Sequence, residues 1–262
     1  MARLERIRTY PVKSLDGVDR EEVTIRENGT LAGDRTFALF DADGKLVEGP
    51  RTDRVHDITN EYDPETGTLT ADISGSDENG PRQFDLGTDR GRGRAAAWFS
   101  DVFEFGDLTL ERDEDRGYVA RNGMGTSVIS TATLETVADW FEDLTVESVR
   151  RRMRANLEIS GVEPFWEDRF VGDDAPAFVV GGVRLEGATP CARCVVPGRD
   201  PDTGEPLPEF RERFVEKRRE TLPDWADEEA FDHYYTLMLI ADVVEADRGT
   251  TLAVGDTVET LD

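Results

Sequence analysis

The chain has 262 residues, and its 57 acidic against 31 basic residues give a formal net charge of −26. This length is enough for one large domain or two small ones, each with its own core. The charge excludes a nucleic-acid partner, because no basic stripe is present to neutralise phosphates. No stretch approaches the ~20 apolar residues that a transmembrane helix needs, and the first residues do not have the pattern of a signal segment. We therefore expect a soluble, cytoplasmic protein with no membrane partner.

The acidic surface contains almost no lysine, since only three of the 31 basic residues are lysines and the others are arginines. The acidic residues are spread along the chain rather than gathered in one tail. Such a composition either binds cations and basic partners or suits a salt-rich cytoplasm, where counter-ions screen the repulsion between like charges. The even distribution favours the second interpretation, a protein from a halophilic organism such as a halophilic archaeon.

The first hundred residues have the pattern of β-strands separated by turns. Residues 3–9 alternate polar and apolar side chains, as a half-buried strand does. Turn residues occur at 41–44 and 63–67, and further strands are predicted over 36–40, 45–47 and 68–73. The polar, glycine-rich stretch 75–93 predicts an exposed loop. A change of composition near 110–125 is the candidate domain boundary.

Helical periodicity appears later in the chain, at Leu134, Val137, Ala138 and Phe141. Ser130 or Thr131 would cap this helix, and a second helix is predicted over 208–219. Short strands are predicted over 177–180, 183–186 and 239–245, with a closing hairpin over 251–258. Strands outnumber helices, and the sequence does not alternate strand and helix. The pattern therefore indicates barrels or sandwiches with a few helices rather than a doubly wound parallel sheet.

Both cysteines of the chain lie together in the segment Cys191–Cys194. A zinc site needs about four ligands, and only His56 and His233 could add to the pair. A redox pair of the thioredoxin type should open a helix, whereas prolines and glycines follow here and predict a loop. Two interpretations remain more favourable. The thiols are small buried apolar groups, or the neighbouring guanidinium of Arg193 favours a thiolate that binds a soft, redox-active metal.

Four other short segments each combine a cation or hydroxyl with small residues that let the backbone approach a ligand. They are Tyr10–Ser14, Gly33–Arg35, Gly125–Ser127 and Arg154–Asn156. Lys13, Ser14 and Arg35 converging on one point would suit a phosphate group. Any one of these residues alone is best explained as a surface charge, and only their joint occurrence indicates a ligand site.

Three of these segments, Tyr10–Ser14, Gly33–Arg35 and Arg154–Asn156, belong to an ordered set that resembles the MOSC family. The set continues with Ile159–Gly161, the cysteine pair, Asp200–Gly204 and Val254–Asp256. More closely, the chain is similar to proteins in which a MOSC N-terminal β-barrel domain precedes a MOSC domain. Such relatives include the mitochondrial amidoxime-reducing components and the bacterial 6-N-hydroxylaminopurine-resistance reductases. The resemblance covers nearly the whole chain. It implies a β-rich α+β fold with two β-barrel-like domains and a few helices, over 1–115 and 116–262.

The resemblance implies that Cys194 is the catalytic residue and binds the molybdenum of a molybdenum cofactor, Mo-molybdopterin. Lys13, Ser14 and Arg35 would hold this cofactor from the first domain, at its phosphate. The other cofactor-binding positions are Thr126, Ser127, Arg154, Asn156, Cys191, Ala192 and Arg193. Gly125 stands where animal relatives have an acidic residue, which would change the polarity presented to the substrate.

The implied activity is reduction of small N-hydroxylated substrates, namely hydroxylamines, amidoximes and N-hydroxylated bases. Some bacterial relatives carry an additional iron–sulfur domain, and this chain has no further cysteines for such a cluster. We therefore expect electrons from a separate donor, ferredoxin-like or cytochrome b5-like. The alternative is a carrier of the cofactor or of sulfur without its own turnover, because related MOSC domains end cofactor sulfurases. A zinc-binding structural module is a third class and lacks ligands.

Overall fold

The computed structural model of the protein describes residues 1–75, 80–119 and 125–261. Its strands are β1 Arg3–Thr9, β2 Val18–Arg20, β3 Glu22–Thr24, β4 Phe37–Phe40, β5 Ile58–Asp63, β6 Thr68–Ile73, β7 Arg82–Asp85, β8 Thr109–Arg112, β9 Thr126–Ser130, β10 Leu157–Ser160, β11 Phe178–Val180, β12 Val183–Ala192, β13 Thr236–Val243, β14 Thr251–Ala253 and β15 Val258–Thr260. Its helices are α1 Asp89–Phe103, α2 Thr131–Asp139, α3 Val146–Met153 and α4 Phe210–Glu220. The predicted β-rich α+β class is confirmed. Within these residues, no helix is both long and apolar enough to span a membrane.

One eight-stranded sheet holds strands from both ends of the chain, in the order β15-β11-β12-β13-β9-β10-β1-β2. Strands β9 and β10 are parallel, and β1 pairs with β10 in antiparallel register. The alternation predicted over 3–9 is interrupted by a register shift between Leu4 and Arg6, so that Leu4 and Ile7 both face the core. Strand β3 pairs in turn with β14. The N-terminal strands are therefore built into the C-terminal part of the fold.

A second core lies under the three-stranded meander β5-β6-β7 and helix α1. Helix α1 contributes Phe99 and Phe103 to this core, and Thr88 caps it by accepting the amide of Gly91. The prediction of a loop over 75–93 is therefore wrong where the chain is described, because β7 and the start of α1 lie there; residues 76–79 lie outside the described residues. Packing of the apolar stripe overrides the poor helix propensity of the two glycines.

The helices of the second half pack on the eight-stranded sheet. Ser130 is the N-cap of α2, since its hydroxyl accepts the amide of Thr133 at 3.0 Å. Helix α4 confirms the helix predicted over 208–219 to within two residues at its start. The arginine-rich helix α3 was not predicted, because it carries few apolar residues. Thr145 caps it, and it ends at Arg154 in left-handed conformation.

Two predicted hairpins differ from the structure, one in part and one entirely. Leu46 makes only an isolated bridge to Phe40, so 45–47 is not a regular strand. The closing hairpin is wrong, because β14 pairs with β3 and β15 pairs with β11. A turn signal is local, and it does not determine which distant strand pairs with each arm. The domain boundary stays a prediction, and residues 120–124 within its candidate region lie outside the described residues.

Candidate functional site

A cavity of about 420 Å³ opens where the segment after β1 meets the ends of β12 and α3. Ten of the eleven site residues predicted from the sequence line this cavity, which we call the main cavity. They are Lys13, Ser14, Arg35, Ser127, Arg154, Asn156, Cys191, Ala192, Arg193 and Cys194. The structure thus brings together residues that are up to about 180 positions apart in the chain.

Thr126 is the predicted residue that does not line the main cavity. It neighbours Ser127 in β9, and successive side chains of a strand point to opposite faces. Thr126 is buried, and its hydroxyl has no hydrogen-bond partner among the described residues. Gly125 lies beside the cavity, where a Cβ would come within 1.9 Å of the carbonyl oxygen of Ala241. The glycine is therefore required by close approach of β13, a reason independent of substrate polarity.

The lining is cationic although the protein as a whole is strongly anionic. Among the described residues, Lys13 and six arginines line the main cavity, against the two carboxylates of Asp16 and Glu48. The arginines are Arg35, Arg151, Arg152, Arg154, Arg193 and Arg199. A concentration of fixed cations in a cavity, on a protein of net charge −26, favours an anionic ligand.

The cations differ in how they are paired. Arg151, Arg152 and Arg199 each pair with a carboxylate of the surrounding loops, Asp202, Asp200 and Asp53 respectively. Lys13 lies 3.5 Å from Glu48, and burial lowers the pKa of its ammonium.

Arg154 and Arg193 have no carboxylate within 4 Å in the part of the chain that the structure describes. Burial also lowers the pKa of the Arg154 guanidinium. These two arginines therefore hold positive charge that the described residues do not neutralise.

Strained backbone is concentrated at the main cavity. Seven non-glycine residues among those described have left-handed backbone, and four of them line the cavity. These are Ser14, Arg35, Arg154 and Met238, with φ of 74°, 48°, 58° and 75°. Left-handed backbone disfavours side chains with a Cβ, and it persists where the surrounding structure imposes it, often at functional sites. Met238, within β13, is a lining residue that no sequence pattern predicted.

Ser127 and Asn156 line the main cavity and connect β9 to the segment just before β10. The Ser127 hydroxyl donates to Asn156 Oδ1 at 2.9 Å and accepts the Asn156 amide at 3.0 Å. Asn156 Nδ2 donates to the carbonyl oxygen of Arg8 in β1 at 3.0 Å. Both side chains therefore use their hydrogen bonds to hold the strands together, and in this way they stabilise the shape of the site.

The two cysteines have different environments. Cys191 lies near the end of β12 and is half-buried, and its Sγ accepts a hydrogen bond from Arg193 Nη1 at 3.2 Å. Arg193 Nη2 donates to the carbonyl oxygen of Met153 at 3.0 Å. The guanidinium of Arg193 therefore donates to the thiol of Cys191, two residues before it in the chain. Cys194 is exposed, so its thiol is the accessible soft ligand of the cavity.

His56 also lines the main cavity, although the sequence indicated it only as a possible zinc ligand. Its Nδ1 lies 3.4 Å from the carbonyl oxygen of Pro201 and can donate to it, which leaves Nε2 as an acceptor. Nε2 is buried and has no hydrogen-bond partner among the described residues. Burial lowers the pKa of the His56 ring, so it is neutral at neutral pH. The ring contacts the loop that contains Pro201 and Gly204, and Pro201 lies 145 positions later in the sequence. No local pattern could reveal this contact.

The residues present fit a cofactor that brings an anionic group, N–H donors and a soft metal. The cations suit a phosphate, the unpaired Nε2 of His56 suits an N–H donor, and the Cys194 thiol suits the metal. Among residues 1–75, 80–119 and 125–261, no three His, Cys, Asp or Glu side chains are grouped so that they could hold a metal ion. A metal at Cys194 would therefore need ligands beyond the side chains of these residues, and a cofactor would supply them.

Among solved structures, the YUAD protein from Bacillus subtilis is similar at 14% identity, over 99% of this chain and 94% of that chain, with a TM-score of 0.40. YiiM from Geobacillus stearothermophilus is similar at 9% identity, over 53% of this chain and 55% of that chain, with a TM-score of 0.34. No curated protein matches the chain.

The family models match both parts of the chain. Residues 1–105 match the MOSC N-terminal beta barrel domain, and residues 119–259 match the MOSC domain. MOSC domains are a molybdenum cofactor-binding domain family. With its two matched domains in this order, the chain belongs to the MOSC family.

Proposed function

We propose that this protein is a molybdenum cofactor-dependent reductase of small N-hydroxylated compounds. The observation that carries the proposal is one cavity in which an exposed thiol, Cys194, faces cations from a distant part of the chain, the buried Lys13 and the half-buried Arg35. The thiol suits molybdenum, and the cations suit the phosphate of the cofactor. Cys194 is exposed, so a substrate can reach a metal bound there.

The chain's own residues would bind and orient the cofactor. Lys13, held between Glu48 and the carbonyl oxygen of Tyr118, supplies a fixed ammonium for the phosphate. Arg154 adds a second cation that carboxylates do not neutralise, and His56 Nε2 accepts an N–H of the cofactor. Cys194 supplies the protein's ligand to the metal. Thr126 is buried next to Ser127 in the chain, and its proposed role is to support Ser127 rather than to contact the cofactor.

When bound, the molybdenum cofactor supplies a redox-active metal for transfer of two electrons and one oxygen atom. The balanced reaction is R–NHOH + 2 e⁻ + 2 H⁺ → R–NH₂ + H₂O. The N–O bond breaks, the nitrogen is reduced, and the oxygen leaves as water. The electrons come from a separate donor protein of the ferredoxin or cytochrome b5 type.

The test is elemental analysis of the purified full chain for molybdenum, followed by turnover of benzamidoxime with reduced viologen as the artificial donor. We expect stoichiometric molybdenum and formation of benzamidine. Bound molybdenum without turnover of amidoximes or hydroxylamines would favour the carrier instead. Protein that takes up no molybdenum from a cofactor-producing host would contradict both functions.

A further inference from the structure

A second cavity, of about 360 Å³, lies beside the main cavity. Arg193 and Cys194 line both cavities, so the proposed metal ligand stands at the junction between them. A reductase must hold two molecules at its metal, the cofactor and the substrate. The main cavity has the cations for the cofactor, and the second cavity has a different lining, which includes Arg211, His233 and Tyr235.

The charges that line the second cavity are balanced among the described residues. Its lining contains two arginines, Arg193 and Arg211, and two glutamates, Glu209 and Glu212. This differs from the main cavity, where cations predominate. A balanced lining gives no net attraction for an ion, so the second cavity favours an uncharged ligand.

Arg211 offers a flat surface to such a ligand. Its guanidinium carbon lies 5.3 Å from the centre of the Tyr235 ring. No carboxylate lies within 4 Å of this guanidinium in the described ranges of the chain, although Glu212 is its neighbour. A guanidinium stacked on one aromatic ring and otherwise unpaired can stack on a second planar group.

His233 offers a hydrogen-bond donor at the same cavity. The backbone amide of Tyr235 donates to His233 Nδ1 at 3.2 Å. With Nδ1 acting as an acceptor, the neutral ring carries its hydrogen on Nε2. Nε2–H can therefore donate to the oxygen of a hydroxylamine or amidoxime.

We propose that the second cavity binds the substrate, an uncharged and planar N-hydroxylated compound, with Arg211 stacked on it and His233 donating to its oxygen. The inference rests on the proposed function and adds to it the location and the charge class of the substrate site. The cofactor and the substrate then approach Cys194 from two different sides.

Helix α4 offers a matched pair of variants for the test. Arg211 and Arg213 are both exposed on α4, and each guanidinium lies over an aromatic ring, 5.3 Å from Tyr235 and 5.7 Å from Phe141 respectively. Only Arg211 lines the second cavity, and Arg213 lines neither. Arg211→Ala and Arg213→Ala therefore remove the same chemical group with the same cost to helix and surface.

The probe is benzamidoxime, and its Kd for the full chain is measured by calorimetry with and without bound cofactor. For Arg211→Ala we expect the Kd to rise about tenfold, as for loss of one stacked cation, with molybdenum content unchanged. Arg213→Ala should match the wild type. Val195→Trp, at an exposed position of the cavity rim, should weaken binding without disturbing the core. A 4-carboxy derivative of the probe should bind more weakly than benzamidoxime.

The outcomes separate this inference from the proposed function. If the enzyme turns over benzamidoxime but Arg211→Ala and Arg213→Ala have equal Kd and KM, the substrate site lies elsewhere. The proposed reductase function is then supported, and only the proposed substrate site is wrong. If Arg211→Ala weakens binding while the loaded wild type does not turn over, the cavity is a binding site and the reductase assignment fails. Absence of both binding and turnover overturns both.

Discussion

The guanidinium carbon of Arg154 lies 4.1 Å from the centre of the Tyr10 ring. Arg154 ends helix α3, Tyr10 follows β1, and Arg154 Nη2 also donates to the carbonyl oxygen of Leu15 at 2.6 Å. The phenol of Tyr10 in turn lies 3.3 Å from the carbonyl oxygen of Ala155. These contacts join the segment after β1 to the end of α3 at the wall of the main cavity.

Replacing Arg154 by leucine should therefore lower stability as well as cofactor binding. The variant loses a stacked cation and leaves the Leu15 carbonyl oxygen without its donor, so we expect the free energy of unfolding to fall by about 1–3 kcal/mol. Urea denaturation followed by tryptophan fluorescence measures this loss. The control is Arg184→Leu, since Arg184 is exposed on β12 and pairs with Glu186 at the surface. Equal stability of the two variants would contradict the role given to Arg154.

The two cysteines should respond differently to substitution. Cys194→Ser replaces the exposed thiol by a poor molybdenum ligand, and we expect the purified protein to lose its molybdenum. Cys191→Ser should weaken molybdenum binding less, because the Cys191 thiol already accepts a hydrogen bond from Arg193. Elemental analysis of both variants, with protein concentration from absorbance, gives the comparison. Equal molybdenum retention in the two would remove Cys194 from the metal.

The ammonium of Lys13 should make cofactor binding sensitive to alkaline pH. Burial lowers the pKa of Lys13 below its ordinary value, so it loses its proton and its attraction for a phosphate earlier than an exposed lysine would. We expect cofactor affinity to fall as the pH rises above neutral toward about 10. Lys13→Arg keeps its charge over this range and should give a flatter profile. Release of fluorescent pterin from the protein measures affinity, and identical profiles would exclude Lys13.

A buried carboxyl group far from the main cavity should give the stability a pH dependence. Burial, with the neighbouring Asp168, raises the pKa of Glu167 to about 7, and both oxygens lack hydrogen-bond partners among the described residues. Because the folded pKa lies above that of the unfolded chain, the stabilising contribution is present below about pH 4.5 and is lost as pH rises through about 7. Glu167→Gln cannot ionise, so its stability relative to the wild type should increase from about pH 5 to about pH 8. Exposed Glu142→Gln is the control, and a constant difference would contradict the assignment.

The net charge of −26 should make stability depend on salt. Like charges repel in the folded state, and counter-ions screen this repulsion. We expect the free energy of unfolding to rise when KCl increases from about 0.1 to about 2 M. Urea, which is uncharged, is the suitable denaturant. A flat or falling response would remove the halophilic interpretation of the composition.

The site was predictable from sequence where short segments determine it. Lys13 and Ser14 follow a strand in a tight turn, and the segment Cys191–Cys194 spans the end of another, so that local pattern and resemblance both identify them. Thr126 was chosen with Ser127 as a pair, although only one of two neighbours in a strand can face the cavity. His56 depends on a contact with the loop at Pro201, which no local pattern encodes.

The fold was predictable where apolar periodicity is regular, as in α2 and β6. It was missed where composition and packing disagree. Helix α1 begins among glycines and arginines, yet Phe99 and Phe103 anchor it in the core. The arms of the predicted closing hairpin pair instead with β3 and β11, strands that lie far from them in sequence, and a local turn signal does not determine such pairings.

The pairing of β1 with β10 and of β3 with β14 limits how the protein can be loaded. The two pairings lie in separate sheets, and each joins an N-terminal strand to a strand of the second half, so the two sequence halves cannot rotate apart as rigid bodies without breaking both ladders. A cofactor therefore enters through the mouth of the finished cavity or during folding. For the same reason, a chain begun at residue 116 would lack three strands that complete its sheets, and each half depends on the other as a folding partner rather than as a separable module.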